Sequence, residues 1–112
     1  MQLNRYPVEP VSLTDQQRQA VDTAIRDVMK DPDSVKIKNI VSTRRDGTVF
    51  VCGAVNAKNS YGGYTGFTPF RIDIDEATSQ TTIKSLPGVN ADFMAKDMAR
   101  AMCTAVGLGV AI

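Results

Sequence analysis

The sequence contains no histidine. That absence removes the Ser-His-Asp and Cys-His nucleophile systems and the commonest metal ligand. It also lacks an excess of either charge: 13 Lys and Arg stand against 12 Asp and Glu, a net charge of +1. Nucleic acid is drawn first by cationic excess, so it is not expected as a partner. No stretch reaches the roughly 20 apolar residues that cross a bilayer, so no membrane span is expected. Cysteine is scarce. Cys52 and Cys103 match no zinc or redox spacing. They read either as two buried thiols, because free cysteine packs as a small hydrophobe, or as one disulfide closing a long loop. A catalytic thiol is disfavoured with no histidine to activate it. Nothing in the sequence implies a cofactor.

What is present is an ordinary globular composition. Of 112 residues, 43% are apolar and 22% charged, enough for one domain with its own core. Residues 1–13, punctuated by Pro7 and Pro10, read as a loose lead-in to a single domain over 14–112. Thr14 with Gln17 forms a capping-box pattern, and Val21, Ala24, Ile25 and Val28 give one apolar helical stripe. The helix is expected near 15–30, ended by Lys30-Asp31-Pro32-Asp33.

Strands follow. Val35 and Ile37 alternate with Lys36 and Lys38, and Ile40-Val41 extend the segment. Asp46-Gly47 is a hairpin signal. Thr48 to Asn56 is the second strand, in which Gly53 suggests a bulge or a close backbone approach. Phe67 to Asp75 is the third and Thr81 to Leu86 the fourth. Asn90 then caps a second helix near 91–106, with Met94, Met98, Ala101, Met102 and Ala105 as its stripe and Gly107 as its stop. Cys103 lies nine positions after Met94, about 180° from that stripe, and so is partly exposed or paired. The expected fold is α+β: helix, four-stranded antiparallel meander, helix, with both helices on one sheet face. The other face would carry Lys36 and Lys38 toward solvent or a partner.

One connection stands out. Residues 56–66, between the second and third strands, are long for a hairpin loop. Tyr61 and Tyr64 offer broad amphipathic contact, and Asn56, Asn59 and Ser60 offer adaptable hydrogen bonds. The candidate binding residues are Asn56, Lys58, Asn59, Tyr61, Gly62, Gly63, Tyr64 and Thr65. The same composition also suits a loop that packs only on itself, its glycines supplying positive φ. A phosphate loop is excluded, since no Lys-Ser or Lys-Thr follows the glycines and a strand stands where a helix is needed. Asp73, Asp75 and Glu76 are acidic neighbours, but without a second convergent acid cluster they point to no glycosidase or calcium site.

The string from Val51 to Phe67, preceded by Asp31-Pro32-Asp33-Ser34-Val35, resembles a family of small uncharacterised bacterial proteins. The likeness covers about residues 20 to 72. It implies predicted lipoproteins or secreted proteins, some phage-borne, and no assigned activity. Residues 1–14 have no basic start and apolar run, so the chain as written is expected in the cytoplasm, or in the envelope or periplasm if Met1 replaces a removed leader. The expected function is a non-catalytic protein-binding or inhibitor module contacting another protein through 56–66. The alternative is a phage or mobile-element protein that inhibits a host defence system or enzyme in the cytosol.

Overall fold

The computed structural model describes residues 9–58 and 66–86, together with Ala101, residues 103–105, and residues 107–108. Five antiparallel strands form one sheet in the order of the chain: β1 (Glu9–Pro10), β2 (Lys36–Arg45), β3 (Thr48–Asn56), β4 (Thr68–Asp75) and β5 (Thr81–Ser85). One helix, α1 (Asp15–Asp27), and a short 3-10 turn (Pro32–Ser34) precede β2.

This corrects the expected helix, four strands, helix. The fifth strand lies in the lead-in read as loose: Glu9 pairs with Arg44 and Pro10 with Thr43. Two residues with a proline are too short to show a strand pattern, yet proline suits an outermost strand. Val11 continues the contact, its N–H donating to the Ser42 carbonyl while Ser42 Oγ donates to the Val11 carbonyl at 2.7 Å. Leu13 is buried.

α1 begins as the sequence implies. Thr14 Oγ1 accepts the Gln17 N–H at 3.1 Å, and Gln17 Oε1 accepts the Thr14 N–H at 2.9 Å. Val21 and Ile25 are fully buried on the sheet. The helix stops at Asp27, before the proline could act, so Val28 is exposed rather than part of the stripe. Arg26 fastens this end. Its Nε donates to both carboxylate oxygens of Asp22, at 3.1 and 2.9 Å, and its terminal nitrogens donate to the carbonyls of Pro32 and Val35.

The β2–β3 hairpin turns on Asp46-Gly47, whose φ values of +52° and +79° suit the tight turn that matches strand twist. Between Lys38 and Val41, β2 carries one extra residue relative to β3, and Asn39 there has φ +58°. This bulge lies opposite Gly53. The Asp75–Gln80 turn is held by Asp75 Oδ1, which accepts the N–H groups of Ala77 and Thr78.

Both faces of β3 are covered. Val49, Val51 and Val55, with Phe70, Ile72 and Ile74 of β4, join Val21 and Ile25 in the main core. The alternate residues Phe50, Cys52 and Ala54 are buried too, and Phe50 and Cys52 form a second cluster with Cys103 and Leu108. Strand side chains alternate between faces, so Cys103 and Leu108 lie on the face opposite α1. The expectation of both helices on one face is therefore corrected. A strand buried on both sides reads as a continuous apolar run, as residues 49–55 do.

Most of the second expected helix, including Met94, Met98 and Met102 in its stripe, lies outside the described residues. Ala101 and residues 103–105 are helical. Ala101 and Ala105, placed in the buried stripe by the sequence reading, are exposed, whereas Cys103 is fully buried. The element ends at Gly107, with φ +78°: its N–H donates to the Thr104 carbonyl and that of Leu108 to the Cys103 carbonyl. This paired ending is the one a glycine stop permits.

Candidate functional site

The two cysteines form a disulfide. Cys52 and Cys103 are bonded across 51 positions, both with zero exposure. Of the two readings open in the sequence, two thiols or one bridge, the bridge is the one the fold adopts. It explains why Cys103, opposite the methionine stripe, is nonetheless buried. Its sulfur lies 3.6 Å from the Phe70 carbonyl, a packing contact, since a bonded sulfur has no proton to donate.

The long connection between β3 and β4 has a defined stem. Asn56 ends β3, and its Oδ1 accepts the Gly66 N–H at 3.1 Å. Gly66 has φ +95°, a conformation few other residues adopt, and so turns the chain back toward β4. On the outgoing side, the Lys58 N–H donates to Ser34 Oγ at 3.0 Å, and Ser34 Oγ donates to the Asp31 carbonyl at 2.7 Å. Of the expected binding residues, Asn56 and Lys58 thus belong to the stem. Asn59, Tyr61, Gly62, Gly63, Tyr64 and Thr65 lie outside the described residues.

Beside the stem, Lys38 Nζ sits 4.0 Å from the centre of the Phe67 ring. Farther along the same face, Arg71 and Arg45 approach the Phe50 ring at 5.0 and 5.4 Å. Arg71 also grips Asp73 with two hydrogen bonds, at 2.9 and 3.0 Å, in a pair only about one-eighth exposed. These cation–ring contacts were not foreseen from the sequence. They depend on cross-strand register, which places Arg45 and Arg71 diagonally beside Phe50.

The acidic neighbours are all structurally engaged. Asp73 is held by Arg71, Asp75 carries its turn, and Glu76 accepts from Arg44 Nε at 2.9 Å. Arg44 also meets Glu9, so its hydrogen bond to Glu76 first and that to Glu9 second hold its guanidinium above the ordinary arginine pKa. Among the described residues no group of three or more His, Cys, Asp or Glu could hold a metal ion. A groove of about 740 Å³ runs between α1 and the β4–β5 turn, lined by Gln16, Gln19, Thr23, Ile74, Asp75 and Glu76 among others. Asp73 is not on its wall. No helix among the described residues is long and apolar enough to cross a membrane.

Comparison with protein-family models, curated proteins and solved structures found no match for this chain.

Proposed function

We propose that this chain is a non-catalytic protein-binding or inhibitor module of bacterial origin, with its contact surface in residues 56–66. The observation that carries this reading is the stem. Hydrogen bonds from Gly66 to Asn56 and from Lys58 to Ser34 anchor both ends of a Tyr, Gly and Asn-rich segment to the sheet and the 3-10 turn. Anchored ends reduce the entropy lost when such a segment engages a partner. Of the two settings considered, the disulfide supports the envelope or periplasm over the cytosol, because disulfides persist in oxidising compartments.

The test is capture of partners from a bacterial periplasmic extract by the wild type and by Tyr61→Ala/Tyr64→Ala. Interface aromatics lose ~1–2 kcal/mol or more on truncation, so the double variant should bind at least about tenfold more weakly. Its unfolding midpoint should stay close to wild type. Unchanged capture with a large loss of stability would make the tyrosines internal packing and end this reading.

A further inference from the structure

We propose that the groove between α1 and the β4–β5 turn binds a neutral, hydroxyl-rich ligand of the oligosaccharide class. Nothing in this site draws on the 56–66 loop. At about 740 Å³ the groove falls within the size range of ligand sites, roughly 300–1,000 Å³. One wall is the side of α1 that carries Gln16, Gln19 and Thr23, whose spacing stacks them along one side of the helix. All three are exposed, and none has a side-chain hydrogen-bond partner among the described residues. Ala20, Ala24 and Ile74 supply the apolar part of the lining. The other wall is the turn that starts at Asp75 and carries Glu76 and Ser79.

The lining sets the ligand class. A carboxamide both donates and accepts, as a hydroxyl does, so Gln16, Gln19 and Thr23 can meet ligand hydroxyls in either sense. The alanine methyls suit the C–H face of a sugar ring, which hides apolar area from water. An anionic ligand is the wrong fit, since no cation lines the groove among the described residues and two carboxylates do. A cationic one is the weaker fit, because both carboxylates are already engaged. Asp75 Oδ1 accepts the Ala77 and Thr78 N–H groups, and Glu76 is paired with Arg44. Both walls are also held by their own hydrogen bonds. Thr14 and Gln17 cap each other at the start of α1. Across the groove, Ser79 has φ +62° and donates its N–H to the Asp75 carbonyl at 2.7 Å. A site held in this way loses little conformational freedom when a ligand enters.

The test is an NMR titration of the isotope-labelled, disulfide-bonded full chain with chitotriose and, separately, with maltotriose, both at millimolar concentration. At least one sugar should give saturable amide shifts confined to α1 and the segment from Ile74 to Ser79. Gln16→Ala/Gln19→Ala should raise the Kd for that sugar by at least about fivefold, the loss expected from two hydrogen bonds at an exposed site. Its unfolding midpoint should not fall, because both positions are exposed and alanine is the better helix former. Tyr61→Ala/Tyr64→Ala should bind the sugar like wild type, so this result and the partner-capture result stand apart. No shift with either sugar would overturn the proposal, as would shifts that the glutamine pair leaves unchanged. Tighter binding of spermidine than of either sugar would make the groove a cation site of Asp75 and Glu76 and overturn it as well.

Discussion

The ring of Phe70 lies against the backbone of Gly53. A Cβ at Gly53 would stand 2.9 Å from Phe70 Cε2 and Cζ and 3.2 Å from the Lys38 carbonyl oxygen. The two residues are directly opposed on β3 and β4, and Phe70 is fully buried, so its ring has nowhere to retreat. Gly53→Ala is therefore expected to destabilise by about 1–3 kcal/mol, the usual range for overpacking. Phe70→Leu in the same chain should return part of that loss, making the double variant less destabilised than the sum of the two singles. Denaturant unfolding of the four proteins checks this; strict additivity would mean that the contact is unimportant.

The same pair shows what could be read in the sequence. A glycine inside a β-branched run signals a bulge or close approach, and both occur here, the bulge on the facing strand at Asn39 and the approach from Phe70. Thr14 with Gln17 and Asp46 with Gly47 were legible because each motif acts within a few residues. The placement of the C-terminal residues was not, because it depends on a long-range pairing. Cys52 alternates with Val51, so a bridge from Cys52 necessarily puts Cys103 on the face away from α1. The cation–ring contacts at the stem stayed hidden for a related reason: Lys38 and Phe67 are distant in sequence and meet only after the hairpin closes.

The bridge should be protected while the chain is folded. Both sulfurs are fully buried, so native protein should show no labelling by thiol reagents after brief mild reductant, and both cysteines should label once denaturant and reductant act together. Replacing the pair by Cys52→Ala/Cys103→Ala removes a crosslink spanning 51 positions, worth about 4 kcal/mol in the chain-entropy account. Mass spectrometry after alkylation reads the first expectation and the unfolding midpoint the second. Rapid native labelling of either cysteine would contradict the burial.

Arg26 should matter through its shape more than its charge. It holds Asp22 on its own helix and two carbonyls beyond the helix end, Pro32 and Val35. Asp22→Ala removes a half-buried i,i+4 pair and should lose only about 0.3–0.5 kcal/mol. Arg26→Lys keeps the charge but cannot reach all three acceptors, and should lose about 1–2 kcal/mol. Equal small losses for the two variants would show that the carbonyl contacts add nothing.

The stem gives the last expectation, which separates anchoring of the loop from its contact chemistry. Asn56→Ala deletes the acceptor of the Gly66 N–H at a half-exposed site where water can replace it. Stability should then fall by about 1 kcal/mol or less. Ser34→Ala is different. Ser34 is buried, and without its hydroxyl the Lys58 N–H loses its acceptor, so about 1–3 kcal/mol should be lost. Neither change touches a tyrosine. If the anchored ends pre-order residues 56–66, Asn56→Ala should weaken partner capture several-fold while barely moving the unfolding midpoint, and faster dissociation should account for most of it. Titration of the captured partner against both variants and the wild type measures this. Full affinity in Asn56→Ala would show that the stem is a structural closure only, with binding independent of how the loop is held.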